Sequence, residues 1–302
     1  MDRVCERMQA LGAPLAVDVV PLVAERIEGG RFPPAGRTTV GGAGRLLPAA
    51  DGWVAVNLPR EDDLAAVPAW LEVDATDDPW AAVVATTPRR TCAELVERAT
   101  LLGLPVAALG EVVAPAEPVA ASRVDDAAPL DRPPLVVDLS ALWAGPLCTR
   151  LLADRGAEVV EVESPSRPDA VRSGAHRMVC DLRSPELDDL LQRADVVVVA
   201  ARTRALEALG LQPERYAAKV WLSITGYGRT VDRVAFGDDA AVAGGLVAHD
   251  DEGPVFLADA VADPLTGVAA AAAVDAALRA GGRWIIDAAM ARVAAWVAAG
   301  AH

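Results

Sequence analysis

From residue 135 onward, short apolar runs alternate with segments whose apolar positions recur every three or four residues. LVVDL at residues 135–139 has the length and β-branched content of a buried strand. Gly145-Pro146 follows and opens a helix, because proline is tolerated in the first turn, and Gly156 ends it. Further strand runs lie at residues 158–162, 178–182, 195–200 and 220–225. Between them, Ser184-Pro185 caps a helix running to Arg193, and a helical segment at 205–209 stops at Gly210. A helix at 238–247, a strand near 255–258, an Ala-rich helix at 263–280 and a last strand at 284–286 complete the pattern. Strands separated by helices of this length predict a parallel sheet with helices on both faces.

The first part of the chain is patterned differently. Two strands, at 45–48 and 53–58, flank Asp51-Gly52, a strong hairpin pair. Thr91 and Glu94 form a capping box, opening a helix that ends before Gly103, with a short strand at 105–109. Short amphipathic helices precede Gly29. Residues 114–134 are rich in Pro, Ala and Asp without periodicity and read as a linker. The expected organisation is a smaller α+β domain at 1–113, the linker, and a Rossmann-like α/β domain at 135–302.

Composition narrows the function. The longest apolar stretches, such as 268–277, are interrupted by Asp275 and fall short of the ~20 residues of a membrane span. The first residues carry charges of both signs and no apolar signal region, so a cytoplasmic protein without membrane contact is expected. A net charge of −15 disfavours nucleic acid, whose phosphates need a basic surface. Neither Cys5, Cys92, Cys148 and Cys180 nor the three histidines have metal-ligand spacing, so no metal is expected.

Open parallel sheets bind ligands beyond the carboxyl ends of their strands. Three loops fall there, at 140–145, 163–172 and 225–239. The first enters a helix N-terminus, suited to a phosphate or carboxylate. Its sequence, Ser140-Ala141-Leu142-Trp143-Ala144-Gly145-Pro146, lacks the glycine fingerprint of dinucleotide sites, and nicotinamide binding is not supported.

The segment Leu142-Trp143-Ala144-Gly145-Pro146-Leu147-Cys148-Thr149-Arg150-Leu151-Leu152-Ala153-Asp154, followed by Gly156-Ala157-Glu158-Val159-Val160, resembles the opening βαβ unit of class III CoA-transferases. That family includes formyl-CoA and carnitine CoA-transferases and α-methylacyl-CoA racemase. The resemblance continues through Asp181-Leu182-Arg183-Ser184-Pro185-Glu186, Ser223-Ile224-Thr225-Gly226-Tyr227-Gly228-Arg229-Thr230 and Ala258-Asp259-Ala260-Val261-Ala262-Asp263. Order and spacing together carry it, over most of residues 135–290. Gly42 to Val56 and Thr91 to Val112 resemble the family's smaller domain, which elsewhere follows the Rossmann part, so the order looks swapped in a shortened chain.

The resemblance implies an acyl-CoA or CoA ligand, with the thioester as substrate and no separate cofactor. It also implies an aspartate nucleophile, for which Asp238 is the match and Asp239 the neighbour; either residue could instead cap the helix. CoA contacts are implied at Ala144, Gly145, Arg172, Arg183, Arg202, Gly226 and Gly228, the last two through backbone N–H groups able to stabilise an oxyanion. Ala200-Ala201 and Thr203-Arg204 depart from the family pattern. The implied reaction is CoA transfer to a carboxylic acid; racemization using His249, or a non-catalytic acyl-CoA-binding subunit, are the alternatives. A homodimer, or pairing with another family subunit, is implied, and residues 263–280 and Trp296 are the expected contact.

Overall fold

The computed structural model describes residues 2–28, 36–75, 77–165 and 176–299. Helices α1 (Asp2–Gly12) and α2 (Val19–Glu28) lead into strands β1 (Gly44–Pro48) and β2 (Trp53–Asn57). Helices α3 (Glu61–Leu71), α4 (Pro79–Thr86) and α5 (Cys92–Leu102) precede β3 (Val106–Ala108). These strands form an antiparallel sheet in the order β1-β2-β3. Its inner residues Val54, Val56 and Val106 pack on Trp70, Val83 and Leu95 of the three helices. The Asp51-Gly52 turn closes the hairpin, with Pro48 opposite Trp53. The capping box forms as expected: the Glu94 N–H donates to Thr91 Oγ1 and the Thr91 N–H to Glu94 Oε2.

Next come β4 (Ala120–Asp125), β5 (Leu135–Asp138), α6 (Ala144–Ala153), β6 (Glu158–Glu163), β7 (Arg177–Val179), α7 (Pro185–Arg193) and β8 (Val196–Val199). They are followed by α8 (Thr203–Ala208), β9 (Val220–Thr225), α9 (Gly237–Ala243), β10 (Val247–Asp250), β11 (Gly253–Phe256), α10 (Ala262–Ala280), β12 (Arg283–Ala289) and α11 (Met290–Ala298). The large sheet runs β4-β12-β9-β8-β5-β6-β7, parallel throughout except for β4. This is the doubly wound order, with its reversal between β5 and β8. Strand alternation divides the core. Val136, Val196, Val198, Leu222 and Ile286 join α6, α10 and α11 on one face, and Val137, Val197, Val199 and Trp221 join α7 and α8 on the other.

Two expectations are corrected. The segment expected as an unpatterned linker supplies β4, an edge strand held by backbone pairing to β12 while all six of its residues stay exposed. Such a strand carries no hydrophobic alternation to see. Helix α1 belongs to the large unit: Val4, Met8 and Leu11 share a core cluster with Val268, and Arg7 stacks 3.8 Å over the Trp296 ring. Helix α10, expected at the contact with a second copy, buries Val268, Leu265 and Val274 in its own fold. Trp296 is covered by Arg7, and its indole N–H donates to the Ala116 carbonyl. Among the described residues no single helix is long and apolar enough to cross a membrane.

Candidate functional site

The reversal of winding places the loops after β5 and β8 on either side of a crevice. After β5, the buried Asp138 organises the first loop. Its Oδ1 accepts from the backbone N–H and the hydroxyl of Ser140, and its Oδ2 accepts from Thr149 Oγ1 at 3.0 Å. Asp138 was not foreseen, although an acidic residue ending an apolar strand and preceding a serine is a usable signal. A Cβ on Gly145 would overlap Ser140, and the Ala144 carbonyl lies where a Cβ on Gly267 of α10 would sit, at 2.6 Å. Ala144 and Gly145 therefore make close backbone packing possible and are themselves buried. The loop's exposed residues are Ala141 and Leu142, the latter half exposed with φ +69°.

Of the expected basic residues, Arg172 lies outside the described residues. Arg183 is exposed and donates to the Ala208 carbonyl at the end of α8. Arg202 is 3.5 Å from Asp232, which also takes Arg204 at 3.3 Å. The loops after β8 and β9 are thereby tied, and Thr203 Oγ1 adds a hydrogen bond to the Arg229 carbonyl at 2.7 Å.

The Gly-Tyr-Gly loop is also engaged internally. Gly226 abuts Ala235, and its carbonyl accepts from the Ala291 N–H. Gly228 has φ +119°, a conformation that suits glycine. Its N–H donates to Thr225 Oγ1 at 3.0 Å, and the next N–H, of Arg229, donates to Asp287 at 2.8 Å. The expectation that the Gly228 N–H serves an oxyanion is corrected: a threonine hydroxyl already takes it.

Asp238 and Asp239 stand in the first turn of α9 and separate cleanly in role. Asp239 is the cap; its Oδ1 accepts from the Phe236 N–H at 2.9 Å. It is fully buried and also meets Asn57 of β2, at 3.4 Å, while its Oδ2 has no partner. Asp238 is partly buried and turns toward the loop before α10, accepting from the Ala260 N–H at 2.8 Å. Burial pushes both carboxyls up to about 7; for Asp238 the neighbouring Asp259, Asp239 and Asp263 add to the rise against the Ala260 hydrogen bond. Gly237 sets this approach, because a Cβ there would overlap the Asp263 carboxylate and the Ala260 carbonyl. Gly237→Ala is expected to lower stability by about 1–3 kcal/mol in denaturant titration, through overpacking against backbone. An unchanged midpoint would show that the two loops can separate.

The first sheet covers this region. Glu111 accepts from Arg233 Nη2 at 2.6 Å and from the Tyr227 hydroxyl at 3.3 Å. Arg233 also donates to the Val106 carbonyl and stacks 3.9 Å from the Tyr227 ring centroid. His249 is exposed on β10. Among the described residues, no three His, Cys, Asp or Glu side chains converge as metal ligands.

The profile of CoA-transferase family III matches residues 134–302. Succinyl-CoA–D-citramalate CoA-transferase of Chloroflexus aurantiacus is 32% identical over 168 residues, 45% of this chain and 42% of that protein. Succinate–glutarate CoA-transferase of Agrobacterium fabrum is 31% identical over 192 residues, 50% of this chain and 48% of that protein. The crystal structure of Rv3272 from M. tuberculosis superposes with a TM-score of 0.51 at 28% identity, covering 58% of this chain and 57% of that one. The chain spans about half the length of the curated relatives it matches.

Proposed function

This chain belongs to CoA-transferase family III, and from that premise we propose that it transfers CoA from an acyl-CoA to a carboxylic acid, with Asp238 as nucleophile. One observation carries the reading. Asp239 performs the helix capping, so Asp238, which follows the Gly-Tyr-Gly loop, is left with a carboxylate bound to one backbone N–H only among the hydrogen bonds seen.

The residues support the following sequence. A carboxylate oxygen of Asp238 attacks the thioester carbonyl, the C–S bond breaks, and CoA leaves as the thiolate. The resulting mixed anhydride is attacked at the Asp238 carbonyl by that thiolate, which releases the donor acid and leaves an aspartyl-CoA thioester. The acceptor carboxylate displaces CoA from it as a second anhydride, and CoA thiolate then takes the new acyl group and frees Asp238. Covalent catalysis divides the transfer into easier steps. A carboxylate is a weak nucleophile, so positioning must supply much of the rate. The Ala260 N–H positions one oxygen, and desolvation raises the basicity of the group.

A second reading, an acyl-CoA-binding subunit without transfer activity, is favoured by the occupied Gly228 and Arg229 N–H groups and by the Arg202–Asp232 pair. Trapping decides between the two. Acyl-CoA followed by hydroxylamine is expected to leave a hydroxamate on Asp238, read by peptide mass spectrometry. A chain that binds acyl-CoA and acquires no label is the subunit of the second reading, and a label on Asp239 moves the nucleophile by one residue.

A further inference from the structure

The chain has a large excess of acid, and its arginines are mostly paired: Arg150 with Glu25, Arg155 with Asp275, Arg233 with Glu111. Arg229 and Arg292 differ. Both are half-buried, and neither guanidinium has an ion pair or hydrogen bond among the described residues. Both also belong to one place, the carboxyl ends of β9 and β12. Arg229 follows Gly228 directly, and Arg292, in the first turn of α11, lays its Nη2 3.3 Å from where a Cβ of Gly228 would stand.

A carboxylate also stands at this place. Asp287 accepts from the Thr225 hydroxyl with Oδ1 and from the Arg229 backbone N–H with Oδ2. That Oδ2 is 3.4 Å from the same Gly228 Cβ position that Arg292 Nη2 approaches, without forming an ion pair with it. Arg202 and Arg204 are satisfied by Asp232. Two half-buried guanidinium groups without a hydrogen-bonded partner among the described residues can each donate to an added anion.

Beside Arg229 is a cavity of about 160 Å³. Its lining includes the buried Leu206, Trp221 and Ser223, the half-buried Arg229, and the exposed Glu207 and Glu214. That volume suits a body of roughly six heavy atoms, the size of benzene in an engineered cavity of similar volume. None of its lining residues is Asp238, Asp239 or Ala260, so it is separate from the aspartate pair.

We propose that Arg229 and Arg292 form an anion-binding subsite at the carboxyl ends of β9 and β12, and that the adjoining cavity takes the body of a small ligand bearing one carboxylate or phosphate. Glu207 and Glu214 in the same lining disfavour a second anionic group. The ligand class is therefore a short acid with a neutral or hydrogen-bond-donating tail, or a small phosphate. This goes beyond the transfer reading and does not require it.

Calorimetric titration of the full chain with 3-hydroxybutyrate, glutarate and inorganic phosphate, each alone, tests the subsite. Saturable binding of 3-hydroxybutyrate or phosphate is expected, weakened by added salt, with glutarate the poorer acid. Whichever binds distinguishes the carboxylate from the phosphate source. Arg229→Gln and Arg292→Gln should each raise its Kd at least ~10-fold, the scale of one charged hydrogen bond, with unchanged thermal midpoints because neither side chain has a partner to lose. Asp238→Asn should bind the probe as the wild type does, so the loss of transfer and the loss of this subsite are separable. Binding of none of the three probes, or equal binding by both arginine variants, overturns the proposal.

Discussion

Asp238→Asn is expected to reduce CoA transfer at least ~1,000-fold, as removal of a covalent nucleophile does, while the chain stays folded and binds acyl-CoA. The amide oxygen can still accept from the Ala260 N–H, and the cap is untouched because Asp239 makes it. What is lost is the carboxylate that, in the proposed transfer, forms the anhydride. The wild-type rate carries a second signature. Only the ionised group attacks, and burial has raised its pKa to about 7, so activity should climb as pH rises through 7 and then level. Transfer rates across pH 5.5–8.5, with circular dichroism and acyl-CoA binding on both proteins, check this; a variant that retains activity in proportion to folded protein removes Asp238 from the chemistry.

The stability of the fold should fall between about pH 4 and 7, and Asp239 should account for a measurable share. An unfolded aspartate ionises near pH 3.9, whereas the buried Asp239 holds its proton up to about 7. Between those values the native chain binds a proton that the unfolded chain has released, so stability declines as pH rises. The contribution is fully present below the unfolded pKa and is lost through the folded one. A displacement of that size corresponds to at most about 4 kcal/mol. Asp239→Asn keeps an acceptor for the Phe236 N–H and cannot ionise. Its denaturant midpoint should lie at or below the wild type at pH 5 and above it at pH 8. Parallel curves for the two proteins would mean that Asp239 has the same proton affinity folded and unfolded.

Much of the large unit was legible because its strands are short, β-branched and punctuated. LVVD, EVVEVE, VVVV and VWLSIT became β5, β6, β8 and β9 within a residue or two. The helix expected at 238–247 ended at Ala243 instead. Gly244 packs against the backbone of α11, Gly245 takes φ +76°, and the chain returns as the β10–β11 hairpin. Strand β4 was hidden because it is held by main-chain bonds alone. The place of α1 was hidden because an amphipathic stripe shows that a face is buried and not what buries it.

At the site, the order of the motifs specified the family and put Asp238 after a Gly-Tyr-Gly loop at the ligand-binding edge of the sheet. That much is local and sequential: turn residues, strand periodicity and spacing survive in one dimension. Which of two adjacent aspartates caps and which is presented was decided by the first turn of α9, where Asp239 folds back onto Phe236 and Asp238 meets Ala260. The burial that raises both pKa values, the covering of Asp239 by Asn57, and the isolation of Arg229 and Arg292 in an acid-rich chain were decided by packing between segments far apart in sequence. Desolvation and charge pairing depend on distances in space, and those exist only once the sheets have closed on one another.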